Sequence, residues 1–279
     1  MCGIVGYVGK RPALPLLING LKRLEYRGYD SAGIAVIQND VIWDKKKKGR
    51  IKDLQMEISE KDVFGTIGIG HTRWATHGVP SERNAHPHFD CRHQIAVVHN
   101  GIIENYVQLR SQLELNGHKF TSETDTEVLA HLIEMFYDGD LSFALRKALQ
   151  LIKGTFGILV LSSLKPDQLL AARRGSPLVI GVGDRENFIA SDVPAVLDYT
   201  NRVIYLEDGD TGIITKNSIK IKRKDSQASR EEHKILWSVE DAQRGGYEHF
   251  MLKEIHEQPR VIRNTLGGWI SADEPAVDL

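Results

Sequence analysis

From residue 156 onward the chain is a series of short apolar runs separated by turn residues, and no other feature restricts the fold as much. The runs are 156–162, 168–173, 178–183, 187–191, 203–206, 211–215 and 218–222. A parallel strand pair needs a crossover of about a dozen residues or more. These gaps are shorter, so the runs are expected to pair antiparallel. Toward the N-terminus, Ile4 to Val8 reads as a buried strand that starts almost at the terminus. Residues 32–37 and 41–43 read as a hairpin joined around Gln38-Asn39-Asp40, and 66–71 and 95–99 as strands running directly into polar, glycine-containing loops. Helical spacing of Leu14, Leu17, Ile18, Leu21 and Leu24 predicts a helix over 12–24, with Pro12 in its first turn. Further helices are expected over 104–115, 124–136 and 141–152, with Thr121-Ser122 offering oxygen caps to the second of these. Sheets packed on each other with helices outside follow from this mixture, an α+β class. Residues 223–244 are polar and read as a connector. An amphipathic helix is expected over 249–266, and the tail 271–279 has no periodicity.

Composition narrows the function classes. The 279 residues allow one large domain or two small ones. With 36 basic and 37 acidic residues, the net charge of -1 favours neither nucleic acid nor an anionic membrane. No apolar run reaches the length of a membrane span, and no basic flank precedes an apolar segment at the N-terminus, so neither an anchor nor a secretory signal is expected. The four lysines 45–48 read as a solvated strand end, because no second basic cluster accompanies them. Cys2 and Cys91 are the only cysteines. That excludes a disulfide framework, points to the cytosol, and leaves Cys91 as a buried or half-buried thiol without a role. His71, His77, His86, His88 and His99 lie in no zinc-binding helical motif and beside no cysteine pair, so no metal is expected. No phosphate loop or dinucleotide fingerprint implies a cofactor; the glycines of 65–70 fall within a strand at the wrong spacing.

The start of the chain, Met1-Cys2-Gly3-Ile4-Val5-Gly6, offers specific chemistry. If Met1 is trimmed, one residue carries both a thiol and an α-amine. An α-amine titrates near ~7.7–8.0 and a free thiol near ~8.5. The amine can therefore take the thiol proton around neutral pH, directly or through one water. A chain retaining Met1 has an amide in place of that base.

Several segments carry a family likeness. They are Cys2 to Gly6, Tyr26 to Gly33, His71 to Gly78, Asn84 to His88, His99 to Asn105 and Ser122 to Glu127. In that order they resemble class II glutamine amidotransferases, and the likeness runs from Cys2 to about Leu266. Tyr26-Arg27-Gly28-Tyr29-Asp30 resembles the branch of the family that delivers ammonia to a sugar phosphate. The purine-pathway branch usually carries a His-Arg-Gly-Gln form. Glu254 to Pro259 resembles the segment leading into a sugar-phosphate isomerase half. The resemblance implies an N-terminal-nucleophile hydrolase fold, a four-layer αββα sandwich with antiparallel sheets. It also implies a glutaminase domain over 2–240 and a connector over 241–279 toward an isomerase half that lies beyond this chain.

The resemblance also assigns roles. Cys2 is the nucleophile, and Asn100 with Gly101 forms the oxyanion hole. Both fit the chemistry, because a tetrahedral oxyanion needs preorganised donors and glycine lets substrate approach a backbone N–H. Arg73 is the clamp for the α-carboxylate of L-glutamine, since a guanidinium binds it through two parallel N–H bonds. Asp125 is the ammonium partner, and a carboxylate near a helix start also stabilises that helix end. Thr76, His77 and His86 are further substrate-pocket residues. Trp74 gates the pocket on a loop, 73–81, that closes over substrate and excludes water. Arg27 and Gly28 stand beside the nucleophile, although a structural ion pair would equally account for Arg27. The implied reaction is glutamine hydrolysis through a γ-glutamyl thioester, with no cofactor. The ammonia would serve amino-sugar synthesis from fructose 6-phosphate in a full-length, homodimeric enzyme. Another acceptor such as phosphoribosyl pyrophosphate, or a non-catalytic glutamine-binding module, is the alternative.

Overall fold

The computed structural model describes residues 2–59, 63–224, 226–236 and 247–266. Met1 and the tail 271–279 lie outside them. The chain divides into two units, Met1–Ile235 and Leu236–Leu279.

The first unit holds two antiparallel sheets. One has eight strands. At its centre β1 (Gly3–Val8) lies between β10 (Asn187–Ala190) and β4 (Ile67–Arg73). Beyond β4 come β2 (Ser31–Gln38) and β3 (Val41–Lys48); beyond β10 come β9 (Val179–Val182), β11 (Arg202–Tyr205) and β15 (Glu232–Lys234). The second sheet has seven strands in the order β14-β13-β12-β8-β7-β6-β5. Their ranges are Ser226–Ala228, Ile219–Arg223, Asp210–Thr215, Gln168–Arg174, Gly154–Ser162, Ile95–Ile103 and His88–Phe89.

Side-chain alternation along the strands explains the layering. Ile4 and Val8 of β1, with Ile67 and Ile69 of β4, join Ala96, Val98, Leu159 and Leu161 of the other sheet in one buried cluster. Gly6 keeps that gap narrow, because a Cβ there would stand 2.7 Å from Leu159 Cδ1. The opposite face of β1, Val5 and Tyr7, packs on α1 (Ala13–Arg23) and α2 (Ile51–Met56). Ile95, Val97, Ile158 and Val160 pack on α3 (Tyr106–Leu115), α4 (Glu127–Phe136) and α5 (Leu141–Leu151). Three apolar layers between four layers of structure make an αββα sandwich. Each fully buried aliphatic side chain contributes about 1.5–3 kcal/mol, and the middle layer is what holds the sheets face to face.

Every strand expected between 156 and 222 is present and antiparallel, but the run is shared between the two sheets. The hairpin turn is Asn39-Asp40, with φ of 52° and 59°, the twist a two-residue hairpin loop requires. The lysines of 45–48 lie on β3, where a charged edge blocks further pairing.

Four details differ from the sequence reading. Asn100 and Gly101 are not in a loop after a strand; β6 continues through them to Ile103, opposite Gly157 and Phe156 of β7. Gly101 makes this continuation feasible, with φ of 133° and Thr155 O only 2.1 Å from where a Cβ would sit. Thr121 and Ser122 do not cap α4 with their oxygens; both donate through backbone and side chain to the Glu127 carboxylate. The short α2 was not expected; Asp53 accepts from Arg50 N at 2.8 Å to start it. Residues 226–228 and 232–234, read as connector, form edge strands whose polar sequence carries no apolar alternation.

In the second unit, α6 (Phe250–Leu266) carries Pro259 inside it. Among the described residues no helix is long and apolar enough to cross a membrane.

Candidate active site

Cys2 directly precedes β1, so the central strand delivers it to the end of the sheet. The neighbouring β4 ends at Arg73, and the next residue, Trp74, donates its backbone N–H to Cys2 Sγ at 3.1 Å. The Cys2 carbonyl is held from two sides, by Arg27 Nη1 at 3.2 Å and Asn100 Nδ2 at 3.1 Å. Arg27 also binds Asp192 Oδ2 at 3.0 Å and Ser191 Oγ at 3.1 Å. Both readings of Arg27, ion pair and support for Cys2, therefore describe its contacts.

Cys2 opens into a cavity of about 540 Å³. Its wall includes Arg27, Arg73, Trp74, Thr76, His86, Asn100, Gly101 and Asp125. Gly28 and His77 stand outside that wall. Gly28, at φ 76°, lies under the Trp74 ring, where a Cβ would meet Trp74 Cζ3 at 2.7 Å. His77 packs on Tyr106 and faces Asp125 Oδ1 at 3.9 Å. The wall also contains His99, Thr126, Thr155, Ser176 and Pro177, which sequence reasoning did not assign. Ser176 and Pro177 belong to a turn with no motif, so nothing local marks them.

The charges are arranged in opposition. Arg73 is 3% exposed. Its Nη2 donates to His77 O and to Gly78 O, the latter at 3.0 Å, while its Nη1 has no hydrogen-bond partner among the described residues. Asp125 is 4% exposed and accepts from Ile103 N at 2.8 Å. Its bond to the end of β6 ties the loop before α4 to the strand, and its place directly before the N-cap Thr126 fits the helix-end role the sequence allowed. Asp30 was not singled out from sequence. Its Oδ2 accepts from Ala75 N at 2.6 Å, which orients the chain after Trp74.

Burial pushes the Cys2 thiol up, while the Trp74 N–H and the Arg73 guanidinium pull it the other way. The thiol is thus protonated near neutrality and needs a base before it can attack.

Beneath the cavity the histidines form a chain. Asn100 turns its Nδ2 to the Cys2 carbonyl, so its Oδ1 faces His71 Nε2 at 3.0 Å. His71 Nε2 also faces the carbonyl of His99 at 3.1 Å. Both are acceptors, so Nε2 carries the proton and Nδ1 accepts. His86 Nδ1, 3.1 Å from His71 Nδ1, must then be the donor. Burial pulls His71 down to about 3 and His86 and His88 well below their ordinary range, which keeps all three neutral.

Neutral buried imidazoles have a consequence for stability. An unfolded histidine takes its proton near ~6.5, whereas His71 resists until about 3. Between those values the unfolded chain binds more protons than the folded one, so acid favours unfolding. Stability should be full above pH ~6.5 and fall as the pH drops toward 3. A urea midpoint that stays constant from neutral pH into this window would contradict the histidine assignment.

Comparison with known proteins agrees with this architecture. Residues 71–198 match the family described as a glutamine amidotransferase domain. A glutamine–fructose-6-phosphate aminotransferase (isomerizing) of Caldanaerobacter subterraneus subsp. tengcongensis is 54% identical over 99% of this chain and 46% of its own length. One from Clostridium tetani is 52% identical over 95% of this chain and 44% of its own. The chain thus spans less than half the length of the curated relatives it matches. Among solved structures, the glutamine phosphoribosylpyrophosphate amidotransferase of B. subtilis superposes with a TM-score of 0.69 at 30% identity, covering 80% of this chain and 49% of that one. Motif order, sandwich architecture and these likenesses agree: the chain carries a glutamine amidotransferase domain.

Proposed function

We propose that this chain hydrolyses the side-chain amide of glutamine through a thioester on Cys2. We further propose that in a longer protein the ammonia feeds a sugar-phosphate isomerase half that forms glucosamine 6-phosphate from fructose 6-phosphate. One observation carries the first part. The thiol opens into the same cavity as a buried guanidinium with an unpartnered nitrogen and a buried carboxylate. Free glutamine presents the matching carboxylate, ammonium and amide.

The steps follow from these groups. With Met1 removed, the α-amine of Cys2 takes the thiol proton. The thiolate sulfur attacks the amide carbon, and Asn100 with the Gly101 backbone stabilises the oxyanion. The C–N bond breaks as the ammonium returns its proton to the leaving nitrogen, releasing ammonia. Water then adds to the thioester, its proton goes to the amine, and glutamate leaves with the thiol restored. Arg73 and Asp125 fix the two ends of the amino acid, and Trp74 over Gly28 covers the entrance.

The acceptor rests on the names of the relatives and on the Tyr26 to Asp30 form. A cytosolic location rests on the two unpaired cysteines. Homodimerisation would belong to the longer protein. The domain limits 2–240 and 241–279 are proposed on the same basis.

The test is to supply glutamine, with asparagine as control, and measure glutamate and ammonia. Glutamine bound without ammonia release would make the chain a binding module instead. Glucosamine 6-phosphate formed by this chain alone would refute the division of labour. Arg73→Lys loses the fork that matches a carboxylate. A hydrogen bond to a charged group contributes about 1.5–3 kcal/mol, so KM should rise on the order of 10–100-fold at nearly constant kcat. An unchanged KM would remove Arg73 from the clamp.

A further inference from the structure

We propose that Cys91, His118, His131 and Glu134 bind a divalent transition metal, zinc by the chemistry of the donors, at a structural site apart from the glutamine cavity. Read one motif at a time, the histidines show no such site. The fold gathers it from three segments: Cys91 in the turn after β5, His118 in the loop after α3, and His131 with Glu134 one turn apart on α4.

The spacing of the donor atoms carries the inference. Cys91 Sγ lies 3.6 Å from His118 Nδ1 and 3.6 Å from His131 Nδ1. Glu134 Oε2 lies 3.0 Å from His118 Nδ1 and 3.5 Å from His131 Nδ1. One potential ligand atom from each residue falls within 4.8 Å of all the others. Tetrahedral zinc with Zn–S of about 2.3 Å and Zn–N or Zn–O of about 2.0–2.1 Å gives S···N edges near ~3.6 Å and N···O edges near ~3.3 Å. The four measured edges fall within a few tenths of an ångström of those values. Hydrogen bonding alone explains the cluster less well. Both imidazoles turn the same ring nitrogen toward one thiol and one carboxylate oxygen, and that oxygen already accepts from Cys91 N at 3.2 Å.

A second feature is the setting of His131, which is 1% exposed. Its other nitrogen, Nε2, faces Glu127 Oε1 at 3.8 Å. Glu127 is fixed in turn by Thr121 and Ser122. At 3.8 Å the His131–Glu127 pair is an electrostatic contact and not a hydrogen bond, and His131 Nε2 has no hydrogen-bond partner among the described residues. A small shift of the ring would bring it to the carboxylate that orients a metal-binding imidazole.

The donor set is thiolate, two imidazoles and one carboxylate, which suits zinc over magnesium or calcium. On binding, the Cys91 thiol releases its proton and each imidazole gives a lone pair. Four protein ligands close the coordination sphere, so the ion would hold structure and activate no water. It would fasten two surface turns to α4, whose preceding residues include Asp125.

The experiment uses the full chain, stripped with chelator and reloaded with zinc or cobalt. Expected are one tightly held zinc per chain, a raised Tm, and a cobalt spectrum with a thiolate charge-transfer band. Cys91→Ser should abolish that band, and His118→Ala should weaken zinc binding by more than the about 10–100-fold typical of second-sphere changes. Cys2→Ala should leave both readouts intact, separating this thiol from the nucleophile. Failure of the wild-type chain to retain zinc, or retention unchanged in the Cys91→Ser/His118→Ala double variant, overturns the site. Because the cobalt band reads the sulfur directly, a destabilised variant cannot imitate the result in the wild-type protein.

Discussion

Cys2→Ala is expected to reduce glutamine hydrolysis on the order of 10⁶-fold, the scale seen when a hydrolase loses its nucleophile. No other thiol lies on the cavity wall, so none can substitute. Alanine also permits Met1 removal, so the α-amine, Arg73 and Asp125 would all remain. Glutamine should still bind, and titration calorimetry on this variant separates binding from chemistry. Retention of Met1 should cause a comparable loss for a different reason, since the thiol is pushed up by burial and its base becomes an amide. Residual activity within tenfold of wild type would exclude Cys2 as the nucleophile. Intact mass before and after a glutamine-like electrophile would show whether one adduct forms on the trimmed chain.

Asn100→Ala should lower kcat by about 10²–10³-fold with little change in KM, as expected when one oxyanion donor is lost. The structure adds a mechanical part to this effect. The amide of Asn100 is held by the His71 Nε2–H on one side and the Cys2 carbonyl on the other. The Asn100→Ala change therefore also removes one of the two donors that hold the Cys2 carbonyl. Asn100→Asp tests this separately: it keeps the shape but replaces a donor with an acceptor facing the Cys2 carbonyl. Its loss of kcat should be at least as large. A parallel rise in KM would show that Asn100 binds ground-state glutamine instead.

The sequence singled out these two residues but not their surroundings, for physical reasons. Leu14, Leu17 and Leu21 repeat at helical spacing because α1 buries one face on β1. The strands after 156 alternate because each sheet has two different faces to cover. Elements too short or too exposed to repeat such a face went unread. Ile51–Met56 is barely two turns, His88–Phe89 is two residues, and the edge strands at 226–228 and 232–234 bury almost nothing. In the site, the motif residues were visible because their chemistry requires particular side chains. The conformation of Asn100 and Gly101 was not, since an Asn-Gly pair reads as a turn and only the contact with Thr155 shows why glycine continues the strand. The His71–His86 pair depends on tautomers, which no residue string displays. The Cys91 cluster was missed because its donors come from segments far apart in the chain, so no motif spacing could connect them.

The position of β1 at the middle of the larger sheet has a consequence for timing. Ordinary chain ends fray, but this one is bordered on both sides: Gly3 N donates to Thr72 Oγ1 at 3.1 Å and Ile4 N to Ser191 Oγ at 3.0 Å. Cys2 is synthesised nearly two hundred residues before Ser191, which also receives Arg27. The contacts that hold Cys2 in place are complete only when that distant strand arrives beside it.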